Sequence, residues 1–165
     1  MAAGRVLMPL GNDSTGGRFA TIERMVKRTL AGGYLLRLEK GEELVAELGE
    51  FVAENDVKAG WITGLGGAVN VRLGYYNLQR QKYIFRHIKN VVELVSLTGN
   101  IARVGGEPAL HLHGVVSDRN NKAHGGHIKE LIVGGTVEVK IETFDGELTR
   151  ELDEKIGLPL LQLDD

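Results

Sequence analysis

The segment "TVEVKIETF", residues 136–144, alternates apolar and charged side chains without a break. Val137, Val139, Ile141 and Thr143 fall on one side and Glu138, Lys140 and Glu142 on the other. That two-residue period belongs to a strand with one buried face and one wet face, and it suits no helix. "VNVRLGY" (69–75) alternates too, and "VVELVSLTGNIARV" (91–104) is long and rich in β-branched residues. "YLLRLEKG" (34–41) reads as a further strand, ending at Gly41. Only "EELVAELGEFVAEND" has helical spacing, with Leu44, Leu48, Phe51 and Val52 along one stripe. Glu42 and Glu43 stand at its start, where the helix dipole favours anions. One early helix followed by strand after strand predicts an α+β fold, mostly antiparallel sheet with one main helix near 42–55.

A length of 165 residues suits one domain with a real core. Residues 1–17, ending in "GNDSTGG", read as a flexible arm, and 18–165 as the domain. The longest uncharged stretch, 59–71, is studded with glycine and falls short of the roughly 20 apolar residues that a bilayer span needs. The N-terminus lacks a charged-then-apolar leader, so a cytoplasmic protein with no membrane partner is expected. Cysteine is absent, which excludes disulfides and thiolate ligands. The net charge of −2 lends no support to a grip on nucleic-acid phosphates.

Four of the five histidines fall within "HLHGVVSDRNNKAHGGH", residues 111–127. On a strand, His111 and His113 project side by side, because residues two apart share a face. Leu110, Leu112 and Val116 take the other face. After a polar excursion, "GGH" offers His127; Gly125 and Gly126 are expected to form a sharp bend that returns it over the strand. Three imidazoles with one open position is the donor set of catalytic zinc. Read from the residues alone, the pair serves equally as a surface pair or a core pair satisfied by backbone. His124 and His87 are expected to face solvent.

The stretch "SLTGNIARVGGEPALHLHGVVSDRNNKAHGGHIKE", residues 96–130, resembles the plant-and-prokaryote-conserved (PPC) domain in its bacterial and archaeal form. "YLLRLEKGEELVAELGEFVAENDVKAGWITGLGGAVNVRLGYYN" and "GGTVEVKIETFDGELTRELDEKIGLPLLQL" are similar to its two flanks, so the likeness covers about residues 27 to 163. The resemblance implies a PPC-like fold, a homotrimer, and a DNA-binding or regulatory role. The Arg-Gly-Arg-Pro minor-groove hook of the plant proteins is missing from this sequence. The three-histidine pattern is also similar to that of acetolactate decarboxylase, which implies His111, His113 and His127 as ligands of a divalent metal, most readily zinc. It further implies an alternative function, a metal-dependent lyase with a small-molecule ligand at the metal. Glu130 is expected either to hold a ligand ring by its N–H or to be a plain strand-end acid.

Two other segments invite a reading. "WITGLGGAVN" (61–70) has glycines but not the phosphate-binding spacing, and a strand rather than a helix follows. Its glycines are expected to let the backbone approach the metal pocket, and Trp61 to lie in the core. "VRLGYYNLQRQKYIFRHIKN" (71–90) sets Arg72, Arg80, Lys82, Arg86 and Lys89 among tyrosines and Phe85. That mixture suits single-stranded nucleic acid, or a hairpin whose rings face the core and whose charges face water.

Overall fold

The computed structural model describes residues 7–8, 20–21 and 24–163. Two short strands, β1 (Leu7–Met8) and β2 (Ala20–Thr21), pair antiparallel. The expected arm, 1–17, otherwise lies outside the described residues. From there the order is β3 (Val26–Leu30), β4 (Gly33–Leu38), α1 (Leu44–Glu54), β5 (Gly60–Asn77), β6 (Lys82–Ile88), β7 (Val92–Val104), β8 (Glu107–Ser117) and β9 (Ala123–Thr143). A last hairpin, β10 (Arg150–Asp153) and β11 (Leu158–Leu161), forms a separate two-stranded sheet. This is the α+β fold with a mostly antiparallel sheet that the alternation predicts.

The helix begins two residues later than expected because Glu43 is its cap. The Glu43 carboxylate accepts from Ala46 N at 2.7 Å and from Leu131 N at 2.9 Å, tying the helix start to β9. Glu42 lies outside the helix and accepts from Met25 N and Glu39 N, each at 2.7 Å. Leu44, Leu48, Phe51 and Val52 are buried, as their spacing predicts, and the helix packs on β8 and β9.

The seven strands run in the order β3-β4-β9-β8-β7-β5-β6, and β9 also pairs with β5. The pairings β5–β7, β7–β8, β8–β9 and β9–β5 therefore close a ring. Its inside is filled by residues such as Ile62, Leu97, Leu112, Leu131, Val139 and Ile141. In β9, Val137, Val139 and Ile141 are buried while Glu138, Lys140 and Glu142 are exposed. Gly64 and Gly66 of β5 serve a close approach of backbones. A Cβ there would stand 2.6 Å from the Glu138 carbonyl oxygen and 2.3 Å from that of Thr136. The approach is to the far half of β9, not to the histidines. Trp61 is 43% exposed on the outer side of the ring, not in the core.

Candidate metal centre

The outer side of the ring carries the site. Directly paired residues on neighbouring antiparallel strands project together. His113 pairs with His127, and His111 pairs with Asn100 of β7, so all four side chains share one side. Leu112 and Val116, between and beyond, point into the core. The excursion from His113 to His127 is a plain β8–β9 hairpin. Its turn is made by Asp118–Lys122, with Asn121 at φ 59°, not by the diglycine. Gly125 and Gly126 are strand residues paired with Val115 and Gly114. The missing Cβ matters at Gly126 for another reason: it would lie 2.7 Å from the Gly74 carbonyl oxygen. That close contact seats His127 beside β5, where it also pairs with Gly74.

The three rings converge. His111 Nε2 and His113 Nε2 are 3.1 Å apart, and one nitrogen from each of His111, His113 and His127 lies within 4.8 Å of the others. A tetrahedral zinc, with bonds of about 2.0–2.1 Å, sets its donor atoms about 3.3–3.4 Å apart. The close pair already has nearly that spacing. Burial, then the neighbouring His111 and His113 and Lys129, lowers the His127 pKa to about 4. Burial, Arg150 and His113 lower that of His111. Both rings are thus neutral around pH 7, the form that ligates. His127 Nδ1 is buried without a hydrogen-bond partner, a rare condition that a metal bond or its outer partner relieves. The donor set fits a divalent ion.

Around the triad stand groups that the sequence did not single out for this purpose. Tyr83 of β6 stacks on His127, with ring centroids 4.6 Å apart. Arg150 of β10 donates from Nη2 to Asn100 Oδ1 at 2.8 Å and approaches His111 Nδ1 at 3.2 Å. Asn100 lies within the stretch that carries the family resemblance, but nothing local marks Arg150. Only the seating of the last hairpin against β7, through Arg103 N to the Leu148 carbonyl oxygen at 2.8 Å, brings it here.

Three expectations need correction. Glu130 holds no histidine: its carboxylate meets Arg72, its partner in register on β5, at 3.4 Å. His124 does not face solvent freely, since its Nε2 lies 3.2 Å from Asp118 Oδ2 with 13% side-chain exposure. His87 is exposed as expected. The basic residues of 71–90 do not share a face. Arg72 pairs with His87 in register and lies over the Phe85 ring, whereas Lys82 and Arg86 alternate to the opposite side of β6. Arg80 and Lys89 sit outside the strands.

Residues 26–145 match the family model of the Plants and Prokaryotes Conserved (PCC) domain. A solved metal-containing protein from Archaeoglobus fulgidus is 29% identical, with TM-score 0.75, covering 84% of this chain and 99% of its own. A candidate DNA-binding protein from Ralstonia eutropha is 28% identical, with TM-score 0.79, over 84% of this chain and 96% of its own. A plant- and prokaryote-conserved protein from Pyrococcus horikoshii is 26% identical, with TM-score 0.75, over 88% and 99%. Among curated proteins, a Synechococcus bifunctional protein GlmU is 25% identical over 126 residues, 75% of this chain. The matched part spans only 19% of that relative's length.

Proposed function

Because the chain belongs to the Plants and Prokaryotes Conserved (PCC) domain family, we propose from that premise that it is a metal-binding protein serving a small ligand. The ion is divalent, zinc by ligand type, held by His111, His113 and His127. One observation carries the reading: three imidazoles converge on the outer side of the ring, and no carboxylate joins them among the described residues. Three protein ligands leave a position for a ligand from solution. The metal-containing relative supports the same reading. An ion held there would supply Lewis acidity to a carbonyl oxygen, the chemistry of a lyase resembling acetolactate decarboxylase.

The test is metal content by elemental mass spectrometry after dialysis against zinc. About one equivalent per chain is expected for the native protein. His113→Ala and His127→Ala should each lose it while keeping the fold by circular dichroism. Full metal content in the His111→Ala/His113→Ala double variant would sink the assignment.

A nucleic-acid or regulatory role is the second reading, favoured by the candidate DNA-binding relative. Within one chain Arg72 lies on one side of β6 and Lys82 and Arg86 on the other, with Arg80 and Lys89 outside the strands, so this role requires an assembly to gather them. A trimer is the assembly we propose. Exposed Trp61, Leu65, Val95 and Val115 supply apolar surface for it. Fluorescence anisotropy with short duplexes decides the matter: DNA binding predicts affinity that falls steeply with added salt. No binding at low salt removes this reading.

A further inference from the structure

Arg150 is a half-buried guanidinium without an anion. Its Nη1 donates to the Pro159 carbonyl oxygen at 2.9 Å and its Nη2 to Asn100 Oδ1 at 2.8 Å, both neutral acceptors. Its Nε is buried and has no partner. Among the described residues no carboxylate pairs with it. A desolvated charge is costly unless an opposite charge meets it.

The position is built, not accidental. Tyr76 Oη donates to the Ile156 carbonyl oxygen at 2.7 Å, and Gln81 Nε2 donates to those of Glu154 and Lys155, each at 3.0 Å. The β5–β6 hairpin thus holds the tip of the β10–β11 hairpin. The base is held on β7, and Arg150 stands against the triad. This hairpin follows the residues 26–145 of the family match.

The contact with His111 carries a second message. A guanidinium only donates, so His111 Nδ1 must accept, and the neutral ring then keeps its proton on Nε2. That is the nitrogen facing His113 Nε2. Ligation through either nitrogen is incompatible with this arrangement unless Arg150 turns its N–H groups elsewhere. A metal and a guanidinium side by side, among imidazoles and with no carboxylate beside them among the described residues, call for an anion between them.

We infer that Arg150 is the anion-binding residue of the three-histidine centre, and that its ligand is a small carboxylate held jointly by guanidinium and metal. The inference rests on the metal reading above. The guanidinium fork matches the two oxygens of a carboxylate. The carboxylate leaves the ligand's remaining carbonyl or hydroxyl oxygen for the ion.

Cobalt(II)-loaded protein tests this through its visible spectrum, with pyruvate as probe and pyruvamide as its uncharged counterpart. Pyruvate should shift the cobalt bands, and pyruvamide should not. Arg150→Ala should weaken pyruvate binding roughly tenfold or more, while cobalt alone binds as tightly as before or tighter. Arg150→Lys, which keeps the charge and the stem, guards against simple misfolding and should fall between the two. Equal pyruvate affinity in wild type and Arg150→Ala overturns the inference, as does equal response to pyruvamide. Phosphate binding tighter than pyruvate overturns the assignment to a carboxylate. Failure of every variant, wild type included, to bind cobalt overturns instead the metal reading beneath it.

Discussion

Asp118 governs the short turn that joins the two ligand strands. Its carboxylate accepts from Asn120 N at 2.9 Å and Lys122 N at 3.1 Å, and it lies 3.2 Å from His124 Nε2. The Asn120 contact, then His124 and Lys122, lowers its pKa below the ordinary 3.8. The folded chain therefore holds this proton less tightly than the unfolded chain. In the window below 3.8 the unfolded state takes up more protons, so stability falls as pH falls. Above that pH the contribution is complete. Urea midpoints should show an advantage of wild type over Asp118→Asn at neutral pH that shrinks on acidification through this window; a pH-independent difference would refute the account. Single residues also mark what the sequence can disclose. The shared face of His111 and His113 is legible because a strand's period is two and depends on nothing distant. Arg150 is not legible, since its neighbours Asn100 and His111 are met only through tertiary packing. Trp61 and His124 were misjudged for a related reason: residue type predicts average burial, and the local partner decides the case.

In the strands, the diglycine shows how one pattern admits two structural causes. From sequence alone it predicts a bend, because glycine is the usual residue of turns. Pairing instead continues through both residues, and the bend belongs to Asp118–Lys122. The two glycines should differ sharply on substitution. At Gly126 an added methyl meets the Gly74 carbonyl oxygen at 2.7 Å, a backbone atom that cannot swing aside. At Gly125 the nearest atoms stand at 3.4 Å. Gly126→Ala should thus cost about 1–3 kcal/mol in denaturant unfolding. Gly125→Ala should change stability by only about 0.5 kcal/mol. Equal effects would contradict this register. The helix and the half-wet strand 136–144 were legible in advance because each has a clear period. The ring closure was not, since pairing of β9 with both β8 and β5 leaves no local trace in the sequence.

For the whole molecule, the proposed trimer can be argued from surface alone. Leu65 is 56% exposed and Val95 57% exposed, costly positions for large apolar side chains unless covered. Leu65→Glu combined with Val95→Glu should convert a trimer to monomers in sedimentation velocity, leaving the circular dichroism unchanged. A trimer that persists would place the interface elsewhere. The seven-stranded row has a further consequence. Its two outermost members, β3 and β6, carry Lys27 and Arg28, and Lys82 and Arg86. Cationic margins repel any incoming backbone of the same kind. Copies of this chain are thereby prevented from lengthening one another's sheet into fibrils, and crowded solutions should hold discrete particles that scatter light no more with age.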